Sequence, residues 1–172
     1  MMKLMFKNLT FVILFVLLVS CEYKAPLISE NNIAIDASLL GFWEFINPDP
    51  KDEPENKVHV LFLKFSETEY LIHYTEKKDN LYMRAYPIKI GNIVCLQLQI
   101  IGNDAPVAQD EKKLWLVYSW QIIKGDLEIK NLNEQLVSDK IEDTKSLKKA
   151  FLKEINNKDL FINAGRFKRI IK

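Results

Sequence analysis

His59 and His73 are the only histidines in the 172-residue chain, and they flank Ser66-Glu67-Thr68. A hairpin centred near Ser66 or Glu67 points both imidazoles to one face of neighbouring strands, with Glu69 as a nearby carboxylate, which is the beginning of a metal site. A slip of one residue in register puts them on opposite faces. Two ligands do not close a site, so the expectation is no metal and no cofactor. Nucleophilic chemistry fares no better: Ser66, Ser119, Ser138 and Ser146 lack a Gly-x-Ser-x-Gly context, and no Ser/His/Asp spacing accompanies them. The acidic pairs Glu53/Glu55 and Asp110/Glu111 lie in loop sequence, where solvation accounts for them. No phosphate-binding glycine loop is present, and Glu44, beside Trp43, could face the barrel interior, although the outer face of its strand is the expected place. Cys95, within "NIVCLQLQII", has no flanking basic group to lower its pKa and reads as a buried, inert thiol. The chain is expected not to be an enzyme.

Aromatic residues make the stronger pattern. Tyr70 and Tyr74 share one face of a strand, Tyr82 and Tyr86 share a face of the next, and Tyr118 and Trp120 share a face further on. Inside a barrel, these six side chains would line a pocket for an apolar ligand, each hydroxyl fixing one polar group. On a half-buried sheet they would simply pack across strands. Cavity size separates the two readings, because carriage of a small molecule needs a pocket of roughly a few hundred Å³.

The elements that position these residues are short strands broken by turn chemistry. They are expected over 39–46, 57–65, 69–75, 81–90, 93–101, 114–123 and 127–132. "NPDPKDEPEN", with three prolines, excludes a regular element after the first. "SET", Gly91-Asn92 and "KGD" read as hairpin turns. Val94, Leu96, Leu98 and Ile100 alternate with Gln97 and Gln99, and Leu114, Leu116, Tyr118, Trp120 and Ile122 share a face. Consecutive hairpins with one apolar face form an antiparallel meander that must curl or be covered. One helix then interrupts the strands. Asp143 or Thr144 caps it, and Leu147, Phe151, Leu152 and Ile155 form its apolar stripe. "GRFKRII" is expected as a last strand that pairs back towards the first. The fold class is therefore mainly β, an antiparallel meander of about eight strands with one helix before the last.

The chain opens on a secretory-signal shape: Lys3 and Lys7, then an apolar run from Leu9 to Val19 that is too short to span a bilayer comfortably. Leu18-Val19-Ser20-Cys21 resembles the lipobox of bacterial lipoproteins. That resemblance implies cleavage before Cys21, thioether diacylation of Cys21 and often acylation of its freed amine, which together hold a protein stably in a membrane. Glu22 is not the aspartate linked to inner-membrane retention, so the resemblance implies outer-membrane sorting where the source has such a membrane. The domains expected are a signal peptide over 1–20, a lipidated N-terminus and tether over 21–38, and one β domain over 39–172. A flexible tether would hold the domain roughly 20–25 Å from the lipid on a root-mean-square basis. "DASLL" within its far end is expected to form one helical turn capped by Asp36 or Ser38.

With this order of elements, Gly41-Phe42-Trp43 resembles the Gly-x-Trp motif of the lipocalins and related calycins. The resemblance implies that Gly41 permits a tight start to the first strand and that Trp43 plugs the closed end of the barrel. It further implies a late basic side chain over the indole, Arg166 or Arg169, and a lipocalin-like or incomplete barrel that binds a small apolar or amphipathic molecule. The departures are seven strands before the helix instead of eight, and no second lipocalin motif over 127–132. An alternative is a non-catalytic envelope interaction protein with a solid β core.

Charge adds one surface to consider. Lys+Arg and Asp+Glu nearly balance at 24 and 23, which gives no reason to expect nucleic acid. From Lys145 to Lys172, however, nine basic residues face two acidic ones. Lys148, Lys149 and Lys153 on the helix are candidates for contact with anionic lipid or a cell-wall polymer. The plainer reading is a solvated helix face that offsets an acidic barrel.

Overall fold

Alternation of apolar and polar residues turns one face of each strand inward, and the tight polar turns favour pairing of strands adjacent in sequence. The computed structural model describes residues 22–48, 57–77, 79–104 and 114–171. The signal segment and Cys21 lie outside the described residues. Seven strands follow in order: β1 (Gly41–Phe45), β2 (Val58–Lys64), β3 (Tyr70–Glu76), β4 (Asp79–Ile90), β5 (Ile93–Asn103), β6 (Trp115–Ile123) and β7 (Asp126–Leu132). Helix α1 (Thr144–Lys153) comes next, then β8 (Phe161–Ile171). Each strand pairs antiparallel with its successor, and β8 pairs with β1, so the eight strands close into a barrel. Closure leaves no edge strand exposed.

Register follows the turns. Leu61 faces His73, which centres the β2–β3 hairpin on Glu67, and Ile90 faces Ile93 across Gly91-Asn92. Gly91 has φ 59°, a left-handed conformation that suits glycine. A Cβ there would stand only 2.6 Å from Cδ1 of Ile155, so the glycine also admits the segment that follows α1. Gly41 opens β1 at φ 127°, again where a side chain is disfavoured.

Two cores result. Inside the barrel, Trp43, Phe62, Tyr70, Ile72, Met83, Leu96, Leu98 and Phe167 pack together, with Leu39 beneath them. The second core lies on the outer wall of β4, β5 and β6, where Tyr86, Ile88, Ile90, Cys95 and Val117 are covered by Leu147 and Phe151 of α1 and by Tyr23 and Leu27. Asp143 caps α1 by accepting a hydrogen bond from the Ser146 N–H at 2.8 Å. Leu152 departs from the expected stripe and is exposed: it stands about 100° round the helix from Phe151, away from the wall.

The segment expected to be a tether is instead a strap. Tyr23 and Leu27 are fully buried, and the chain over 22–40 runs down the outer wall before it reaches β1. The backbone of Tyr23 exchanges two hydrogen bonds with Trp115, each 2.8 Å. Gln97, itself fully buried, accepts from the N–H of Leu27 at 2.6 Å and of Ile28 at 3.1 Å, and donates to the Ile28 carbonyl at 2.9 Å. Further along, Asn31 donates to Glu69, and the Asp36 N–H donates to the Tyr70 hydroxyl at 2.6 Å. Asp36 then caps a 3-10 turn over Ala37–Leu39. Polar side chains of the wall thus give the irregular backbone of the strap its partners.

Candidate functional site

The two ends of the barrel differ. At the closed end the indole of Trp43 is fully buried and its Nε1 donates to the Leu39 carbonyl at 2.9 Å. The guanidinium of Arg169 lies 4.1 Å from the indole centroid, a cation–π contact, and donates to the Leu40 carbonyl at 2.7 Å and to that of Ser38. Arg166, the other arginine considered for this position, is on the outer wall, paired with Asp126 at 3.5 Å. One residue of strand alternation separates the fates of neighbouring odd and even positions, and Arg169 faces Trp43 across the β1–β8 pairing.

Toward the other end the barrel encloses an apolar cavity of about 90 Å³, with Phe45, Val60, Ile72, Met83, Tyr118 and Phe167 among its walls. Among the described residues its lining has no ionised side chain; the polar groups are Tyr74, Tyr118, Asn131 and Asn163. The Tyr74 hydroxyl donates to Glu76 at 2.8 Å, and burial together with that carboxylate pushes its pKa up. Tyr70 sits deeper, towards Trp43, and burial raises its phenol to about 12. Such a chamber holds an apolar group and offers neutral hydrogen bonds. It holds no acid–base pair.

The six aromatics considered for a pocket are therefore divided. Tyr74 and Tyr118 line the cavity; Tyr70 and Trp120 belong to the same inner core without lining it. Tyr82 and Tyr86 do not reach the interior. Tyr82 faces His73 across β3 and β4 and stacks on its ring on the outer wall, with centroids 4.7 Å apart. Tyr86 lies in the second core, where Gln97 donates to its hydroxyl at 2.8 Å. Sequence reasoning overlooked Phe45, Met83 and Phe167, although alternation from Trp43 and from Arg169 would have placed Phe45 and Phe167 inward.

His59 and His73 do share the outer face, but each has its own partners. His59 stacks on Phe42 and approaches Glu44 at 3.3 Å; His73 meets Asn80 at 2.8 Å. Glu69 is engaged by Arg84 and Asn31. Among the described residues no group of three or more His, Cys, Asp or Glu side chains converges as a metal site. Glu44 is on the outer wall, where Lys168 at 2.8 Å and Lys57 at 3.0 Å hold its carboxyl down at about 2. Burial pushes the Cys95 thiol up to about 12. A second hollow of about 260 Å³ opens on the outer wall between β6, β7 and the chain after α1, bordered by Gln121, Glu128, Lys130 and Lys158. Its central carboxylate, Glu128, is already satisfied by Gln121 and Lys130.

Comparison of the chain with protein-family models, curated sequences and solved structures gives no match. Among the described residues no helix is long and apolar enough to cross a membrane.

Proposed function

We propose that this chain is an exported lipoprotein, anchored through acylated Cys21, whose lipocalin-like barrel binds the end of a small apolar or amphipathic molecule without catalysis. The observation that carries the reading is a chamber plugged at one end by Trp43 and Arg169 and lined with uncharged, mostly apolar side chains at the other. At about 90 Å³ it falls well below the roughly 300–1,000 Å³ of drug-sized pockets, so it accommodates the tip of a chain and not a whole drug-sized ligand. The residues Leu18-Val19-Ser20-Cys21 support the anchor, and Glu22 supports sorting to an outer membrane where one exists.

The same small volume favours a second reading, a solid β module that acts through its surface. Lys148, Lys149 and Lys153 are exposed on α1 and form the surface to test for an anionic lipid or polymer partner. The two readings separate by mass. The domain from Glu22 onward, produced in its own host and purified from envelope extracts, is weighed natively and then denatured. A ligand-sized excess lost on denaturation supports carriage and identifies the cargo. Equal masses reject carriage in favour of the solid module.

A further inference from the structure

We infer that the barrel sits mouth-down on the bilayer, with the rim around its open end, not its Trp43-plugged end, held against the lipid surface. The inference rests on acylation of Cys21 as proposed above, and adds what the strap does with that anchor. Only Glu22 separates Cys21 from Tyr23. Tyr23 is fully buried, both its backbone groups bond Trp115, and its hydroxyl donates to the Val137 carbonyl at 2.9 Å. Trp115 begins β6 and pairs with Gln99 in the later half of β5, and Val137 follows the end of β7. All three belong to the end of the barrel at which β1 and β3 finish and β8 begins, opposite Trp43.

Two residues of chain, at no more than about 3.6 Å each, therefore place the lipid-bearing sulfur's backbone within roughly 7 Å of that rim. The strap cannot lengthen this leash without breaking buried contacts, because Leu27 and Ile28 are held by Gln97. The closed-end hairpins stand away by the height of the wall; β3 alone, seven residues at about 3.3 Å each, spans about 23 Å along the strand, or roughly 16–19 Å along a barrel axis to which strands tilt by about 35–45°. The partner is the lipid surface itself, reached through the anchor and not through charge. The sequence between the end of β1 and the start of β2 includes Asp52, Glu53 and Glu55, so a zwitterionic membrane is the appropriate probe.

The test uses the full acylated protein in phosphatidylcholine vesicles that contain a headgroup-labelled quencher lipid. A fluorophore is attached at Lys140→Cys, near the rim, or at Glu67→Cys, in the β2–β3 hairpin of the closed end; both parent residues are exposed, and buried Cys95 does not compete for the label. The expected result is severalfold stronger quenching at position 140 than at 67. Equal or reversed quenching with Cys21 acylated, as read by intact mass, overturns the orientation and leaves the lipoprotein reading standing. An unmodified Cys21 overturns both.

Discussion

Replacing Gln97 by leucine is expected to unpin the strap. The amide makes four hydrogen bonds: two accepted from the N–H groups of Leu27 and Ile28, and two donated to the Ile28 carbonyl and the Tyr86 hydroxyl. Leucine has similar bulk, so packing is kept while four partners lose their bonds. Each such loss costs about 1 kcal/mol, more where the orphaned group stays dry, for a total near 4 kcal/mol. Release of the strap limits that cost, since wetted backbone regains water but exposes Leu27 and Tyr23. The expected destabilisation is therefore about 2–4 kcal/mol. Urea unfolding at constant slope measures it, and amide exchange at Leu27 and Ile28 reports local release. Gln121→Leu, which removes one exposed hydrogen bond to Glu128, is the control and should cost about 0.5 kcal/mol or less. A Gln97→Leu loss below about 1 kcal/mol, with protection at Leu27 and Ile28 unchanged, would refute the argument that this side chain fastens the strap.

Arg169→Met, which removes the contact over Trp43 and bonds to two carbonyls, should cost about 2–3 kcal/mol in the same unfolding assay. Arg166→Met should stay within about 0.5 kcal/mol, because its pairing with Asp126 is solvated; equal effects would count against the closed-end assignment. Cys95, with its thiol pushed up to about 12, should resist a thiol reagent at pH 8 in the native protein and react in denaturant; full native labelling would contradict its burial. Glu44 has its pKa depressed from 4.5 to about 2, chiefly by Lys168 and then by Lys57 and His59, so its stabilisation is complete above pH 4.5 and is lost as pH falls through about 2. Glu44→Gln should flatten that acid-side loss by about 1 kcal/mol, the half-exposed lysines being screened, and an unchanged acid limb would reject the coupling. Val60→Phe should fill the inner cavity and abolish any native mass excess, at a stability change of about 1–2 kcal/mol; a retained ligand would place binding elsewhere.

Strand order was legible because each turn announces itself: Gly91-Asn92, the Lys124-Gly125 pair and the proline-rich stretch after β1 leave little room for other boundaries. The helix start was legible to within one residue: of the two candidates, Asp143 and Thr144, Asp143 is the cap. Which face of each strand points inward was less so. In β4, Leu81, Met83 and Ala85 face the interior while Tyr86, Ile88 and Ile90 are just as apolar and face outward, because a second core covers that wall. Period-2 alternation identifies two faces but does not say which one a helix or strap will cover. That ambiguity placed Tyr82 and Tyr86 in a pocket they do not reach. The strap was illegible for another reason. Its own residues carry no periodicity, and the group that fastens it, Gln97, is distant in sequence and resembles any solvent-facing residue of an alternating strand. The choice of Arg169 over Arg166 depended on the register of β8 against β1, which shifts at Phe42/Trp43.

The closing of the barrel also sets a timetable. Seven of the eight strand pairings join neighbours in sequence, all but β7–β8 without an intervening helix; the pairing of β1 with β8 must wait for nearly the whole domain. Loop-closure entropy rises slowly with length, by about 0.6 kcal/mol per doubling, so the delay is a matter of rate more than of final stability. During that delay β1 and β8 each present an unpaired edge, and a second nascent copy offers the same complementary strands. The hazardous species is thus an eight-stranded open sheet, and the β8 of another molecule is the most natural wrong partner for its β1, exchanging strands where one chain should have closed upon itself.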